Sequence, residues 1–585
     1  MRGTPRTPST PARARLPWRS LLLLAFLGLA VLLKLGVWSA PLTRISGPPG
    51  QVDAFDAMWF LRWTPYAIGH GTTPFTSDRL NYPLGLNLMW NTWMPAVSLV
   101  VWPVTALGGA ILADNVVSTL GLALAGFFAF LALRRYVRGA PAAALGGLIY
   151  GFSPYMMAQD GSHAQMVMAG MMLPIGLLLL DEILVRQRRD PRLLGVGLGL
   201  ALIAEFFILE EYFVTEVMAL VLVALLLAIM RPGQFRPRMG YVAWSSLVAV
   251  VLVAAALAYP VWVQLRGPDR ASGVLHDPTV FVTDLANLVV PTSTQVIAPG
   301  FATSISQHFT GNVIEWDGYL GIGLILVVAV TVVARWRDLA VRTAGLLALV
   351  MTILSLGPLL HIGGSQTGIH LPFWVITKIP LVSDMQANRL MVYVWLAVAL
   401  ITAAAVAELW RHRLRWLWLG LVAVVALVPL IPAPIASQEA SAPAYFSSSA
   451  VDEIPAGTGV LTIPCPCPYS PQGLIWQTTA DMRFKIVGGY FLGPTAPGQA
   501  EIQKLATSLG GADWPAMPDA AQQTEFLREL VSSHIGAIVM AGVPHQAAAV
   551  RIMSSILYPP DITGDVTVWL VRIGVTDTNL DRGPP

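Results

Sequence analysis

MPAVSLVVWPVTALGGAI, residues 94–111, is apolar enough to cross a bilayer, and whether it does so decides the topology of the whole chain. Pro95, Pro103, Gly108 and Gly109 interrupt the run, and such residues break or weaken a helix. The arginines supply a second argument. Cytoplasmic loops are enriched in Lys and Arg. The basic clusters here are the N-terminus, Arg134/Arg135/Arg138, Arg186/Arg188/Arg189/Arg192, Arg231/Arg236/Arg238, Arg335/Arg337/Arg342 and Arg411/Arg413/Arg415. Counting 94–111 as a span would put every later cluster outside. We therefore read it as a re-entrant or interface-lying helix on the outer side.

Around it, spans are expected at about 19–39, 114–133, 140–157, 164–185, 192–208, 212–230, 240–264, 317–334, 341–360, 389–409 and 416–435, each near the length that crosses a bilayer. The chain then divides into a cytoplasmic basic N-terminus (1–18), a transmembrane domain (19–435) whose first outer loop is 40–113, and an extracytoplasmic part (436–585). Cleavage of a signal peptide after Ala40 would leave Trp38 at −3 and Pro41 at +1, so the first run reads as a retained anchor. Composition agrees with a multi-pass plasma-membrane protein. Of 585 residues 55% are hydrophobic and 12% charged, with mean hydropathy +0.64, whereas soluble domains carry about 25% charged residues. Only Lys34, Lys378, Lys485 and Lys504 are lysines. The arginines sit in short loops and form no stripe with aromatics, which argues against nucleic-acid binding.

The tail changes character. GVLTIP (459–464), IGAIVMAG (535–542) and VTVWLVRI (566–573) read as strands, and 499–509 and 521–533 as helices, which together make a small α/β domain. Cys465 and Cys467 lie in IPCPCPYS; a strained disulfide, free thiols and a metal pair all remain open.

With this topology the polar residues gather outside. Lys34, near the outer end of the first span, is expected to snorkel to the surface. In GQVDAFDAMWFLRW (51–64), Asp53 and Asp56 are i,i+3 neighbours if the segment is helical, followed by Trp59, Arg62, Trp63 and Tyr66 along one face. That face suits a helix lying at headgroup level, with a carboxylate above the surface. The carboxylate can serve as a general base; two acids can equally just keep a loop in water.

The order of elements resembles that of the type C (GT-C) polytopic glycosyltransferases, and more closely an actinobacterial membrane glycosyltransferase-like group. The motifs carrying the likeness are D-x5-W-F-L-x-W (Asp53 to Trp63), NYPLGLNLMWN (81–91), IYGFSPYMMAQDGSH (149–163), EEYF (210–213) and NRLMVYVWLAVA (388–399). The resemblance implies an all-α polytopic membrane domain of about eleven transmembrane helices with interface helices in its long first outer loop. A small α/β extracytoplasmic C-terminal domain follows.

It further implies transfer of a sugar from a polyprenyl-phosphate-linked donor to a cell-envelope glycan, lipid or protein acceptor, with inversion. Asp53 matches the first-loop base, with Asp56 as second candidate. Arg389, Lys378 and Arg62 are candidates for the donor phosphate, since arginine holds phosphate with parallel hydrogen bonds; Arg389 and Lys378 also suit interface anchors. Sugar or acceptor contacts are expected from His163, Glu210, Glu211, Tyr212 and Asn87, with turn or capping roles open for Asn87 and His163. Glu210 and Glu211 sit at a hairpin tip where water relieves their cost, and Glu205 and Glu216 flank them more deeply. Some relatives use a divalent metal; no D-x-D is present, and no metal is assigned. Two other readings stand beside the enzyme, a lipid flippase and an inactive envelope-assembly scaffold. The lack of an internal repeat argues against the flippase.

Overall fold

The computed structural model describes residues 18–271, 273, 275–379, 382–465, 470–495 and 499–571. The basic N-terminus before Trp18 lies outside them. Each of the eleven expected spans contains a helix, from Trp18–Leu33 at the start to Arg415–Val422 at the end. Among the described residues, five segments are long and apolar enough to cross a membrane: Trp102–Leu133, Ala164–Arg186, Glu210–Met230, Pro232–Arg266 and Ala387–Leu409.

Local chemistry sets the helix starts. Asp190 and Asp338 accept hydrogen bonds from the amides of Arg192 and Ala340, satisfying donors that a first helical turn leaves free. Met391–Leu409 is apolar on every face, and its segment is 94% buried, as expected of a bundle's central helix. The windows in Glu210–Met230 and Pro232–Arg266 are only 17% and 22% buried, so these helices present apolar surface outward. Gly126, Gly147 and Gly151 let two helices touch. A Cβ on Gly147 would stand 2.5 Å from the Gly126 carbonyl oxygen, a closeness that small residues permit between membrane helices.

Residues 94–111 form no span of their own. Pro95–Val100 is a short helix, and Trp102–Leu133 follows with non-helical geometry at Gly109 (φ 81°, ψ 173°). The Ser98 hydroxyl reaches the Phe60 carbonyl at 3.1 Å, fixing the segment against the Asp53–Gly69 helix. Val100 and Leu107 are 80% and 91% exposed.

Lys34 does not snorkel. It divides the first helical run into Trp18–Leu33 and Leu35–Trp38, is fully buried, and donates from Nζ to Asp160 Oδ1 at 2.9 Å and Ser118 Oγ at 2.6 Å. A partner inside the fold replaces the water it was expected to reach.

The last part of the chain forms a five-stranded mixed sheet, in the order Asp561–Thr563, Val566–Leu570, Ile535–Met540, Gly459–Ile463, Lys485–Ile486. The Gly459–Ile463 strand pairs in parallel with Lys485–Ile486 and with Ile535–Met540, and the other pairings are antiparallel. Helices Gln499–Gly510 and Ala520–Ser532 lie where the sequence placed them. Cys465 is disulfide-bonded; Cys467 lies outside the described residues.

This unit is fastened to the first loop. Arg44–Ser46 pairs antiparallel with Ser437–Glu439. Trp59 Nε1 donates to Gln477 Oε1 at 2.6 Å, and Gln477 Nε2 donates to the Arg79 and Phe484 carbonyls. The aromatic face of the Asp53–Gly69 helix is therefore not a headgroup anchor: Trp59 and Trp63 are 1% and 2% exposed beneath the C-terminal unit. Each indole removes about 150–250 Å² from water, worth at most roughly 4–6 kcal/mol.

Candidate functional site

Two short helices, Pro154–Gln159 and Ala164–Ala169, meet at the turn Asp160–His163. Ser153 caps the first, accepting from the Met156 amide, with Pro154 at its first position. The turn is a hub. Asp160 takes Lys34 Nζ at 2.9 Å and the Ser46 hydroxyl at 3.3 Å. The Gly161 carbonyl lies so close to Gly47 that a Cβ there would be 2.0 Å away. Ser162 Oγ accepts the Ala54 amide at 3.0 Å, at the start of the Asp53–Gly69 helix. His163 Nε2 then stands 3.3 Å from Asp53 Oδ2.

The other oxygen of Asp53, Oδ1, accepts the Tyr490 hydroxyl at 2.6 Å. Burial works to raise the Asp53 pKa, but His163, Tyr490 and Arg389 outweigh it and bring the carboxyl from 3.8 to about 2. Asp56, one helical turn on, has no such partners. Burial, and then the Asp53 charge, push it well above the ordinary carboxylate value. The two acids are thus shifted in opposite directions.

Beyond His163 lies an ionic cluster. Arg389 donates to Glu315 Oε1 at 2.9 Å and is ion-paired with Glu211. Asn388 Nδ2 and Gln159 Nε2 donate to Glu315 Oε2 at 2.6 and 3.1 Å, and Gln159 Oε1 meets His163 Nδ1 at 2.7 Å. Burial would raise the Glu315 pKa; Arg389 and His163, with the hydrogen bonds of Arg389 and Asn388, hold it below normal. Glu211 Oε1 also accepts the Gln386 amide at 2.8 Å. Glu210 accepts Gln264 Nε2 at 2.9 Å.

These groups, apart from Gln159 and Asn388 behind them, line one cavity of ≈ 400 Å³. Of the expected residues, Asp53, Asp56, His163, Glu210, Glu211 and Arg389 border it. Four do not, each for a physical reason. Arg62 is ion-paired with Asp481 of the C-terminal unit. Lys378 is exposed and stacks over Trp374, its Nζ 4.9 Å from the ring centre. Tyr212 is buried, with its hydroxyl 2.5 Å from that of Tyr155. Asn87 is fully buried, spends its amide on the Val263 and Pro268 carbonyls, and caps a short helix with its oxygen. Glu205 and Glu216 also lie off this cavity; Glu216 borders a separate apolar groove of ≈ 300 Å³. Glu210 and Glu211 find protein partners rather than only water.

The reading from sequence did not single out Tyr490, Gln159, Asn388 or Glu315. Tyr490 lies 437 residues from Asp53, and no local pattern announces such a contact. The site combines an ionised carboxylate and a guanidinium at the wall of one cavity, with hydrogen-bonding side chains around both. That is equipment for deprotonating a hydroxyl and holding an anion. Among the described residues, no group of three or more His, Cys, Asp and Glu is arranged to hold a metal ion.

The fold is that of the GT-C polytopic membrane glycosyltransferases. The chain is similar to the arabinofuranosyltransferase AftD from Mycobacteria, at 15% identity and TM-score 0.54, covering 95% of this chain and 40% of that one. It is also similar to the oligosaccharyltransferase of Archaeoglobus fulgidus in its apo form, at 13% identity and TM-score 0.50, covering 89% and 69%. No curated protein sequence matches it. Residues 57–430 match the family described as Domain of unknown function (DUF6311), and since that is more than half of the chain, the protein belongs to this family.

Proposed function

We propose that this protein is a glycosyltransferase that moves a sugar from a polyprenyl-phosphate-linked donor to a cell-envelope acceptor at the outer leaflet of the plasma membrane. In this reading the N-terminus is cytoplasmic and the C-terminal unit lies outside. The observation that carries it is the Asp53 carboxylate, facing His163 at the wall of a cavity that also contains Arg389.

The reaction is a single displacement. Asp53 takes the acceptor's proton as its oxygen bonds to the anomeric carbon and becomes more acidic. The bond from that carbon to the phosphate oxygen breaks, and polyprenyl phosphate leaves. The low pKa of Asp53 keeps it ionised for this role, and transfer occurs late, when the acceptor oxygen carries developing positive charge. Arg389 receives the donor phosphate by exchanging Glu211 for it, which leaves Glu315 as its fixed partner. His163 orients Asp53.

The test uses the full chain in lipid nanodiscs with radiolabelled farnesyl-phosphate-linked mannose, glucose and arabinofuranose, and with octyl glycosides as acceptors. The wild type transfers one of these sugars, with inversion. Asp53→Asn, with melting temperature retained, lowers turnover by about 10² to 10⁴. Near-normal turnover in Asp53→Asn rejects the base. Lipid translocation without sugar transfer by the wild type replaces the enzyme reading with a flippase.

A further inference from the structure

The segment that brings Tyr490 to Asp53 has an unusual attachment. Residues 488–494 leave the C-terminal sheet, form part of the cavity wall and are pinned at both ends to the first loop. At one end the Asn81 amide donates to the Gly488 carbonyl at 2.8 Å. At the other, Asn91 binds Leu492 twice, accepting its amide at 2.8 Å and donating to its carbonyl at 3.0 Å, and Asn81 Nδ2 donates to the Pro494 carbonyl at 2.9 Å. Between these pins, Tyr490, Phe491 and Leu492 line the cavity. Gly488 and Gly489 (φ 74° and 137°) stand before Tyr490, and Gly493 stands after Leu492. Glycines beside fixed points let a short segment re-orient without backbone strain.

The contact at its centre is the one an acceptor needs. Tyr490 presents a neutral O–H to Asp53 Oδ1 at 2.6 Å. An acceptor about to lose its proton to Asp53 must present its own O–H to a free oxygen of the same carboxylate. Oδ2 faces His163 and Oδ1 holds a neutral hydroxyl, so an acceptor that takes the Oδ1 position displaces Tyr490 and leaves His163 in place.

We propose that Tyr490 is a built-in stand-in for the acceptor: the substrate is a hydroxyl compound that displaces the Tyr490 hydroxyl from Asp53 Oδ1 as the 488–493 strap turns aside. This rests on the reading of Asp53 as base. An incoming hydroxyl replaces one O–H···O bond by another, so the number of hydrogen bonds to the carboxylate is kept. An amide acceptor would offer two N–H donors to a position made for one O–H. The strap holds water off Oδ1 until an acceptor arrives, which limits loss of the activated sugar by hydrolysis. In the transfer step the acceptor proton passes to Asp53 Oδ1, the acceptor oxygen bonds to the anomeric carbon, and the carbon–phosphate-oxygen electron pair leaves with polyprenyl phosphate. Tyr490 takes no part in this step.

Tyr490→Phe tests it, in the same nanodisc assay with the farnesyl-phosphate sugar that turns over. Octyl β-glucoside serves as hydroxyl probe and an asparagine-amide peptide as amide probe. The apparent affinity of a closed site falls with its open fraction. Removing the competing hydroxyl therefore lowers the octyl glycoside KM by about 3- to 10-fold, the scale of one charge-assisted hydrogen bond net of its replacement, while kcat stays within about twofold. Release of free sugar without acceptor rises by a similar factor. Amide hydrogen exchange over 488–493 also quickens, a readout that does not depend on the sugar.

A tenfold fall in kcat with normal exchange elsewhere makes Tyr490 part of the chemistry and overturns the proposal. So does an unchanged KM with unchanged strap exchange, or preference for the amide probe. Asp53→Asn separates the two failures. If it is inactive while Tyr490→Phe behaves as wild type, only the stand-in falls. If Asp53→Asn turns over normally, or the wild type uses no donor, the base reading falls and takes this one with it.

Discussion

The Lys34–Asp160 pair and the Arg389–Glu211–Glu315 cluster are both buried, but they differ in access: the second borders the ≈ 400 Å³ cavity and the first has no exposed side chain. Lys34 and Asp160 are fully buried in their side chains, with Ser118 and Ser46 completing the shell. Arg389 and Glu211 border the cavity, with side chains 8% and 16% exposed. The first arrangement holds parts together. The second can exchange partners. Burial of opposite charges does not by itself reveal which is which; access does. The two are joined through the Gln159–His163 turn, so the closed pair sets the position of the group that orients Asp53.

Single substitutions should hurt both sites, and most strongly. Arg389→Met strands Glu211 and Glu315, and Lys34→Met strands Asp160. Each should cost about 3–5 kcal/mol in unfolding experiments, as expected when a buried charge loses its partner. Compensated variants should then break the likeness. Lys34→Met with Asp160→Leu should recover stability to within about 1 kcal/mol and retain sugar transfer. Arg389→Met with Glu211→Gln and Glu315→Gln should recover stability but stay inactive. Transfer in the second variant would remove Arg389 from the site.

A subtler contrast separates Asp53 from Asp56. Asp53 is depressed from 3.8 to about 2, so it contributes stability above pH 3.8 that is lost as pH falls toward 2. Asp56 is raised, so it costs stability as pH climbs above 3.8. Asp56→Asn should therefore melt higher than wild type at pH 7, with the gap closing toward pH 4. In the wild type at pH 6, dicyclohexylcarbodiimide, which modifies protonated carboxyls, should label Asp56 in preference to Asp53, as peptide mass mapping would show. The smallest effect belongs to Arg62→Ala. Its pair with Asp481 is partly exposed, with side chains 21% and 67% accessible, and its loss should cost no more than about 1 kcal/mol.

The positions of the helices were legible because hydropathy is a local signal. The break at Gly109 and the helix starting at Asp53 could be read from Pro, Gly and periodicity. What covers a face could not. Trp59, Trp63 and Arg62 carry the pattern of an interface helix, and nothing nearby says that Gln477 and Asp481 lie over them. Lys34 looked free to reach water because Asp160 is 126 residues away. In the cavity, Asp53, His163, Glu211 and Arg389 stood in recognisable motifs. Gln159 and Asn388 stood inside the same motifs but carry no charge to draw notice, and Tyr490 came from a region with no motif.

The bond between Trp59 and Gln477, 418 residues apart, has a consequence for how the molecule is made. A ribosome that has made every helix through Arg415–Val422 has still not made the residues that cover Trp59 and Trp63 or that reach Asp53. Until then the first loop waits with its indoles bare. The cavity is therefore among the last features to be completed, and a chain cut short before residue 476 would be an inserted protein with an uncovered, sticky loop. Such a product is visible to proteolytic surveillance through the same surface that, in the finished protein, joins its two halves.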